Sequence, residues 1–114
     1  MDKRLTIALD AMGGDRAPDV VIKGANVARD RYPEVDYLLF GDEGRIRPLL
    51  RGMEKLGRVC TVHHTEVAVS EEDKPSLALR NGRRSSMRLA INAVHDGDAA
   101  GVVSAGNTGA FMAM

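Results

Sequence analysis

Short apolar runs alternate with stretches of helical periodicity along this chain, and this alternation restricts the fold more than any other feature. Each apolar run has the length and composition of a buried parallel strand. The four runs are residues 5–9, 37–40, 59–62 and 99–103. Apolar residues at helical spacing separate them. The pattern predicts an α/β fold with an open, mostly parallel sheet and helices on both faces.

Two prolines mark the first helical stretches. Pro18 is expected at the first position of a helix that runs to about Arg31, since its fixed φ suits that position. Pro48 lies inside a second stretch, residues 42–56, where a missing backbone N–H predicts a kink or a late helix start.

Serine and glycine mark the last complete helix. Ser85 or Ser86 is expected to cap it, and Gly97 to follow its end. Its apolar stripe is interpreted as core: Met87, Ala90, Ile91 and Val94. Before it, an extended piece is expected at residues 67–69 and a short helix at residues 77–80.

Two glycine-containing loops follow strands of the predicted sheet. The first contains Gly13 and Gly14, and the second, residues 104–109, contains Gly106 and Gly109. A strand, a small-residue loop and a helix start point backbone N–H groups at an anion. Ligands bind outside the carboxyl ends of parallel strands, so both loops predict a site at that edge.

Composition argues against several functions. The net charge is +0, aromatic residues are 4% and Trp is absent, which disfavours a nucleic-acid surface. The single cysteine, Cys60, excludes an internal disulfide framework and fits a reducing cytoplasm. No signal peptide or membrane span is expected, because no apolar run approaches the roughly 20 residues a span needs.

Some polar residues have a structural and a functional interpretation. Asp10 and Asp15 are candidate Mg²⁺ ligands, although acids at strand ends more often accept bonds from loop amides. Cys60 is more often a small buried apolar residue than a nucleophile. His63 and His64 are adjacent, so on a strand they face opposite ways and cannot share a metal.

Five short segments occur in a recognisable order. They are residues 7–15 (IALDAMGGD), 41–43 (GDE), 73–76 with 78–80 (DKPS and ALR), 85–88 (SSMR) and 104–110 (SAGNTGA). Together they resemble the phosphate acyltransferases of bacterial phospholipid synthesis, the PlsX family. The resemblance covers nearly the whole chain but only about the first third of a family member.

This resemblance implies a fold, a reaction and partners. The fold is a three-layer α/β arrangement like isocitrate and isopropylmalate dehydrogenases, with residues 1–114 as the N-terminal portion of a single domain. The reaction transfers a fatty acyl group from an acyl carrier protein thioester to inorganic phosphate, without metal or cofactor. Family members are cytoplasmic homodimers, peripheral to the membrane. The remainder of the domain is expected after Met114, and this portion alone is expected to be inactive.

The second loop is the expected anion site of that reaction. Asn107 and Thr108 are the expected catalytic residues, because the reaction needs phosphate held near the thioester and N–H donors at the oxyanion. The expected substrate- or phosphate-binding residues are Asp10, Gly13, Gly14, Asp15, Lys74, Ser104, Gly106 and Gly109.

One segment is basic and free of acids, between Lys74 and His95. Because acyl carrier proteins are acidic, it predicts a docking surface of Arg80, Arg83, Arg84 and Arg88. The alternative is that these arginines form a solvated helix face, bind phosphate, or pair with the acids at residues 71–73.

Two further functions stay open at this point. One is a non-catalytic sensor that binds acyl phosphate or phosphate through the same loops. The other is a dehydrogenase of the related fold, although the chain has no dinucleotide-binding fingerprint.

Overall fold

A computed structural model describes residues 4–13, 16–65 and 85–104 of the 114-residue chain. Its elements follow one another in this order: β1 (Leu5–Asp10), α1 (Asp19–Arg31), β2 (Val35–Gly41), α2 (Glu43–Arg51), α3 (Glu54–Gly57), β3 (Cys60–His64), α4 (Ser86–His95) and β4 (Gly101–Val103). The expected extended piece at residues 67–69 and the short helix at residues 77–80 lie outside the described residues.

The four strands form one parallel sheet in the order β3-β2-β1-β4. Leu5 pairs with Val35 on one side of β1, and Ile7 pairs with Gly101 on the other. The predicted parallel α/β sheet is therefore confirmed. Its likeness to isocitrate and isopropylmalate dehydrogenases stays a prediction.

Side-chain alternation along the strands makes a core on each face of the sheet. Leu9 and Leu39 pack in a cluster with Ile22 of α1, as well as with residues of α2 and α3. Their neighbours Ala8 and Phe40 point the other way and pack with residues of α4. Strands covered on both faces are near-continuously apolar, which is why the sequence shows short unbroken apolar runs.

The second helical stretch differs from the prediction. Pro48 lies within α2, which is continuous from Glu43 to Arg51, and the interruption falls at Gly52 and Met53 instead. The expected late start at Pro48 is wrong, because α2 begins at Glu43, whereas a kink at Pro48 stays a prediction. One missing N–H costs a single bond to the carbonyl four residues earlier, while the buried Ile46 anchors the same helix to the core.

The helix-end predictions otherwise agree closely with the structure. Pro18 occupies the N-cap position, one residue before α1 begins. The Ser85 side chain caps α4 by accepting a bond from the Arg88 amide at 3.1 Å. Gly97 has a φ of +83°, the left-handed conformation of a residue just beyond a helix C-cap. In the described part of the chain, no helix is long and apolar enough to cross a membrane.

Cys60 is the first residue of β3. It is partly buried and packs against the core cluster that contains Leu9, Leu39 and Ile22. Burial, and to a smaller extent the charge of Asp36, raises the pKa of its thiol to about 12. The thiol is therefore protonated at neutral pH, which agrees with the interpretation as a small apolar core residue.

We expect Cys60 in the native protein to react slowly with iodoacetamide up to about pH 9, because the thiolate is the nucleophile. The unfolded chain releases this proton near pH 9 and the folded chain near pH 12, so the free energy of unfolding should fall across that interval. A Cys60→Ala variant should lack this component of the pH dependence. Rapid labelling of the native protein at pH 8 would contradict the assignment.

Candidate functional site

The order of the strands places the candidate site between the carboxyl ends of β1 and β4. From β1 the chain passes through β2 to β3 on one side, and β4 then lies on the opposite side of β1. Connections that leave neighbouring strands in opposite directions open a crevice at their carboxyl ends, where α/β proteins bind ligands. Asp10 ends β1 at this point, and Ser104 directly follows β4.

The Asp10 carboxylate joins three parts of the chain at this crevice. Its Oδ1 accepts hydrogen bonds from the Met12 amide at 3.1 Å and from the Ser86 hydroxyl. Its Oδ2 accepts a bond from the Ser104 hydroxyl at 2.7 Å. The carboxylate thus ties the loop after β1, the first turn of α4 and the end of β4 to one another. We call this set of four residues the Asp10 cluster.

Burial makes these bonds energetically important. Asp10 is 2% exposed and Ser86 is 1% exposed, so neither side chain can exchange its partner for bulk water. Hydrogen bonds to a charged group contribute about 1.5–3 kcal/mol each, more than bonds between neutral groups. The positive end of the α4 dipole also lies at this carboxylate, because Ser86 is the first residue of the helix.

The loop after β1 is held by its backbone as well. The Ala11 amide donates to the Phe40 carbonyl at 3.0 Å, and the Gly13 amide donates to the Asp10 carbonyl at 3.3 Å. Met12 lies against Gly41, where an added Cβ would come within 2.8 Å of the Met12 Cγ. Gly41 therefore permits this close approach between the ends of β1 and β2.

The two histidines lie at the far side of the same edge. His63 stacks on Phe40 with ring centroids 4.9 Å apart, on the face of the sheet that α4 covers. His64 accepts a bond at Nδ1 from the Glu43 amide at 3.0 Å, at the start of α2. They have separate partners, as expected for adjacent strand residues. A cavity of about 630 Å³ beside His63 has neither Asp10 nor Ser104 in its lining.

The structure brings together part of the predicted site. Asp10, Gly13 and Ser104 converge at the crevice, and Asp10 bonds to a loop amide as the sequence indicated. Arg88 lies in the first turn of α4, two residues after Ser86, and is half-buried. The other predicted site residues lie outside the described residues: Gly14, Asp15, Lys74, Arg80, Arg83, Arg84, Gly106, Asn107, Thr108 and Gly109.

Sequence reasoning missed Ser86 as a member of the site. The Ser85–Ser86 pair was predicted to cap a helix and counted among the family motifs, but not as part of the site, yet Ser85 performs the capping and Ser86 binds Asp10. A second hydroxyl directly after a capping serine was the available signal. Its partner lies 76 residues earlier, so only the fold identifies it.

Metal binding has little support within the described residues. Residues 4–13, 16–65 and 85–104 contain no group of three or more His, Cys, Asp or Glu side chains arranged to hold a metal ion. The acceptor oxygens of Asp10 are bonded to hydroxyl and amide donors. In this part of the chain, Asp10 is therefore a structural acceptor of hydrogen bonds.

Comparison with known proteins places the chain in a family. The family model described as "Fatty acid synthesis protein" matches residues 5–114. A protein of Rhodospirillum centenum named "Phosphate acyltransferase" is 66% identical over all of this chain and 32% of its own length. Relatives of the same name from Rhodospirillum rubrum and Paramagnetospirillum magneticum are 60% and 58% identical, over 33% and 32% of their lengths.

The match is continuous over both of the strands that form the crevice. The chain spans about a third of the length of these curated relatives. The segments that carry the Asp10 cluster all lie inside the matched region, residues 5–114. The chain therefore belongs to the fatty acid synthesis protein family, and it corresponds to an N-terminal third of the phosphate acyltransferases it resembles.

Proposed function

We propose that the full-length protein containing this chain transfers a fatty acyl group from an acyl carrier protein thioester to inorganic phosphate. Its product is an acyl phosphate for phospholipid synthesis. Family membership and the name shared by the relatives support an acyltransferase. The structural observation that carries the proposal is the Asp10 cluster, which joins both strand ends at the crevice where α/β proteins bind ligands.

The chemistry requires positioning more than a strong acid or base. A phosphate oxygen attacks the thioester carbonyl carbon, the new C–O bond forms, and the C–S bond breaks. The carrier thiolate leaves and later takes up a proton, which is easy because thiols ionise near pH 8.5. A site for this reaction must hold phosphate close to the thioester and stabilise the oxyanion.

The Asp10 cluster supplies rigidity to such a site. Asp10 is an anion whose oxygens are engaged within the protein, so it suits a positioning role better than direct contact with phosphate. Its hydrogen bond to Ser104 fixes the position of that residue, which immediately precedes residues 105–109 in the sequence. We place the anion site on that segment, with Asn107 and Thr108 as its side-chain donors and Gly106 and Gly109 as its backbone donors.

The partners follow from the same proposal. An acidic acyl carrier protein docks on the basic surface of Arg80, Arg83, Arg84 and Arg88, where charge attraction raises the association rate and salt weakens it. The full-length protein is a homodimer in the cytoplasm, peripheral to the membrane. These statements rest on the charge pattern and on the family resemblance.

Removing the Asp10 carboxylate should affect both stability and phosphate use. Asp10→Ala should lower the free energy of unfolding by about 3 kcal/mol or more, because the buried Ser86 hydroxyl and the partly buried Ser104 hydroxyl lose their acceptor. Asp10→Asn keeps the shape and should cost about 1–2 kcal/mol. At temperatures where Asp10→Asn is folded, its Michaelis constant for phosphate should rise. Chemical unfolding and steady-state kinetics of the full-length protein measure these effects.

Asp30→Asn is the matched control, since the Asp30 side chain on α1 is 72% exposed. It should change stability by less than about 0.5 kcal/mol and leave phosphate kinetics unaltered. If Asp10→Asn keeps the wild-type Michaelis constant for phosphate, the Asp10 cluster does not position the anion site.

The anion site itself is tested by Asn107→Ala and Thr108→Val in the full-length protein. Each variant removes a side-chain donor, so each should raise the Michaelis constant for phosphate by about 10- to 150-fold, which corresponds to the roughly 1.5–3 kcal/mol of a charged hydrogen bond. Thr61→Val, at an exposed position on β3, is the control for loss of a hydroxyl. Wild-type phosphate dependence in both variants would place the anion site elsewhere.

A non-catalytic sensor is the competing function. It would bind phosphate or acyl phosphate at the same crevice without cleaving a thioester. Phosphate-dependent release of the carrier thiol by the full-length protein distinguishes the two, because only the transferase produces it.

A further inference from the structure

An apolar groove runs along one flank of α1, beside β1 and β4. Its helix side is formed by Val20, Gly24, Ala28 and Tyr32, and its sheet side includes Ile7 and Val103. The groove has a volume of about 510 Å³. It lies on the opposite face of the sheet from α4, because Ile7 packs with the cluster that α1 covers.

The apolar character of this flank is unusual for a helix of its length. Ile22 and Ala25 already bury α1 against the sheet, which is the single apolar stripe that a surface helix needs. The groove residues form a second stripe, and Val20 and Val103 remain 53% and 57% exposed. Within the described part of the chain, no element covers this stripe. A concave surface of this volume with a mostly apolar lining is typical of a pocket that binds a small ligand.

A carboxyl group lies at one end of the groove and not at the other. Asp10 and Ser104 line one end, where β1 and β4 finish and α1 begins. Tyr32 and Val35 line the other end, next to the start of β2. The groove is therefore continuous with the Asp10 cluster. A ligand with a polar group and a long apolar tail would fit it with the polar group at the cluster and the tail along α1.

The length of the groove suits a long hydrocarbon. From Val20 to Tyr32 the helix rises roughly 18 Å, at about 1.5 Å per residue. An extended hydrocarbon of roughly 14 carbons has this length, because zigzag bonds of about 1.5 Å advance somewhat less than that per carbon. The carboxyl group of the lining, Asp10, lies at the end nearest the cluster, and the lining elsewhere is apolar apart from the side chains of Tyr32 and Tyr37.

We propose that this groove binds the acyl chain of the fatty acyl substrate, with the thioester carbonyl at the Asp10–Ser104 end. The proposal rests on the proposed function, which supplies a fatty acyl group as substrate, and it adds where the chain lies and what limits its length. The length of the groove sets how many methylenes can bind, and each methylene that enters it is removed from water. Binding should therefore strengthen by about 4-fold per methylene until the groove is full.

The competing occupant is the protein itself. The relatives are about three times as long as this chain, so a later segment has the length needed to pack on the same flank. The continuity of the groove with the Asp10 cluster favours the acyl chain. The experiment is designed to separate the two occupants.

Gly24→Leu in the full-length protein is the test variant. A Cβ added at Gly24 meets no atom within 4 Å, so the new side chain enters the groove without a clash. Replacing a helix-interior glycine by leucine also favours the helix. Lys23→Leu is the matched control, because Lys23 is exposed on the same helix and does not line the groove.

The first measurement is kcat/KM against acyl carrier protein loaded with butyryl to hexadecanoyl chains at saturating phosphate. If the groove binds the acyl chain, Gly24→Leu lowers kcat/KM for the longest chains by at least about 10-fold, as expected for two or more excluded methylenes. The kcat/KM of Gly24→Leu for the butyryl substrate should change by less than about 2-fold. Lys23→Leu should match the wild type at every chain length. Two results would assign the groove to the protein's own chain and overturn the proposal. One is an equal loss of kcat/KM at all acyl-chain lengths, and the other is a lower melting temperature with an unchanged chain-length preference.

The second measurement does not depend on turnover. A hexadecanoic acid with a photoreactive diazirine near its tail should crosslink the wild-type protein at groove residues such as Val20, Ala28 or Val103. The crosslink should be lost in Gly24→Leu and kept in Lys23→Leu. Crosslinks confined to other surfaces overturn the groove assignment. Absence of phosphate-dependent transfer with groove crosslinks intact would instead overturn the proposed function alone.

Discussion

The buried carboxylate of Asp10 is the interaction on which the arrangement of the crevice depends. Three donors from three separate parts of the chain converge on it, and two of them belong to elements more than 70 residues away in sequence. A buried charge is tolerated only when its hydrogen-bonding capacity is satisfied, so the bonds and the burial require each other. The same carboxylate that fixes the loop after β1 therefore also fixes α4 and the end of β4.

The strand order explains why this carboxylate lies at a binding crevice. β1 is the central strand from which the chain first proceeds to β2 and β3, and to which it later returns with β4. α1 leaves β1 on one face, and α4 reaches β4 from the other. One consequence is the apolar flank of α1 beside β4, which shares its polar end with the Asp10 cluster. The proposed acyl groove then ends at Ser104, which directly precedes in sequence the segment on which we place the anion site.

Sequence patterns predicted the elements well where burial produced them. Unbroken apolar runs located all four strands of the described residues, although β2 begins earlier and β4 is shorter than its run suggested. Ser85 and Gly97 marked the ends of α4 because capping chemistry is local. Pro48 misled the prediction because tertiary packing of α2 outweighs one lost backbone bond. Asp10 was recognised from its place at a strand end, whereas Ser86 was not, since nothing near it in sequence signals its partner.

The sequence by itself determined the α/β class, the parallel strands and the family. These depend on local periodicity, on turn chemistry and on short motifs, all of which lie within a few neighbouring residues. The tertiary structure alone decided that β4 lies beside β1, that Ser86 and Ser104 share one carboxylate, and that the second stripe of α1 borders a groove. Those features join residues that are distant along the chain, and the free energy that brings them together comes from burial of apolar surface and of a satisfied charge. Neither quantity can be read from one segment, because each exists only once the sheet has assembled.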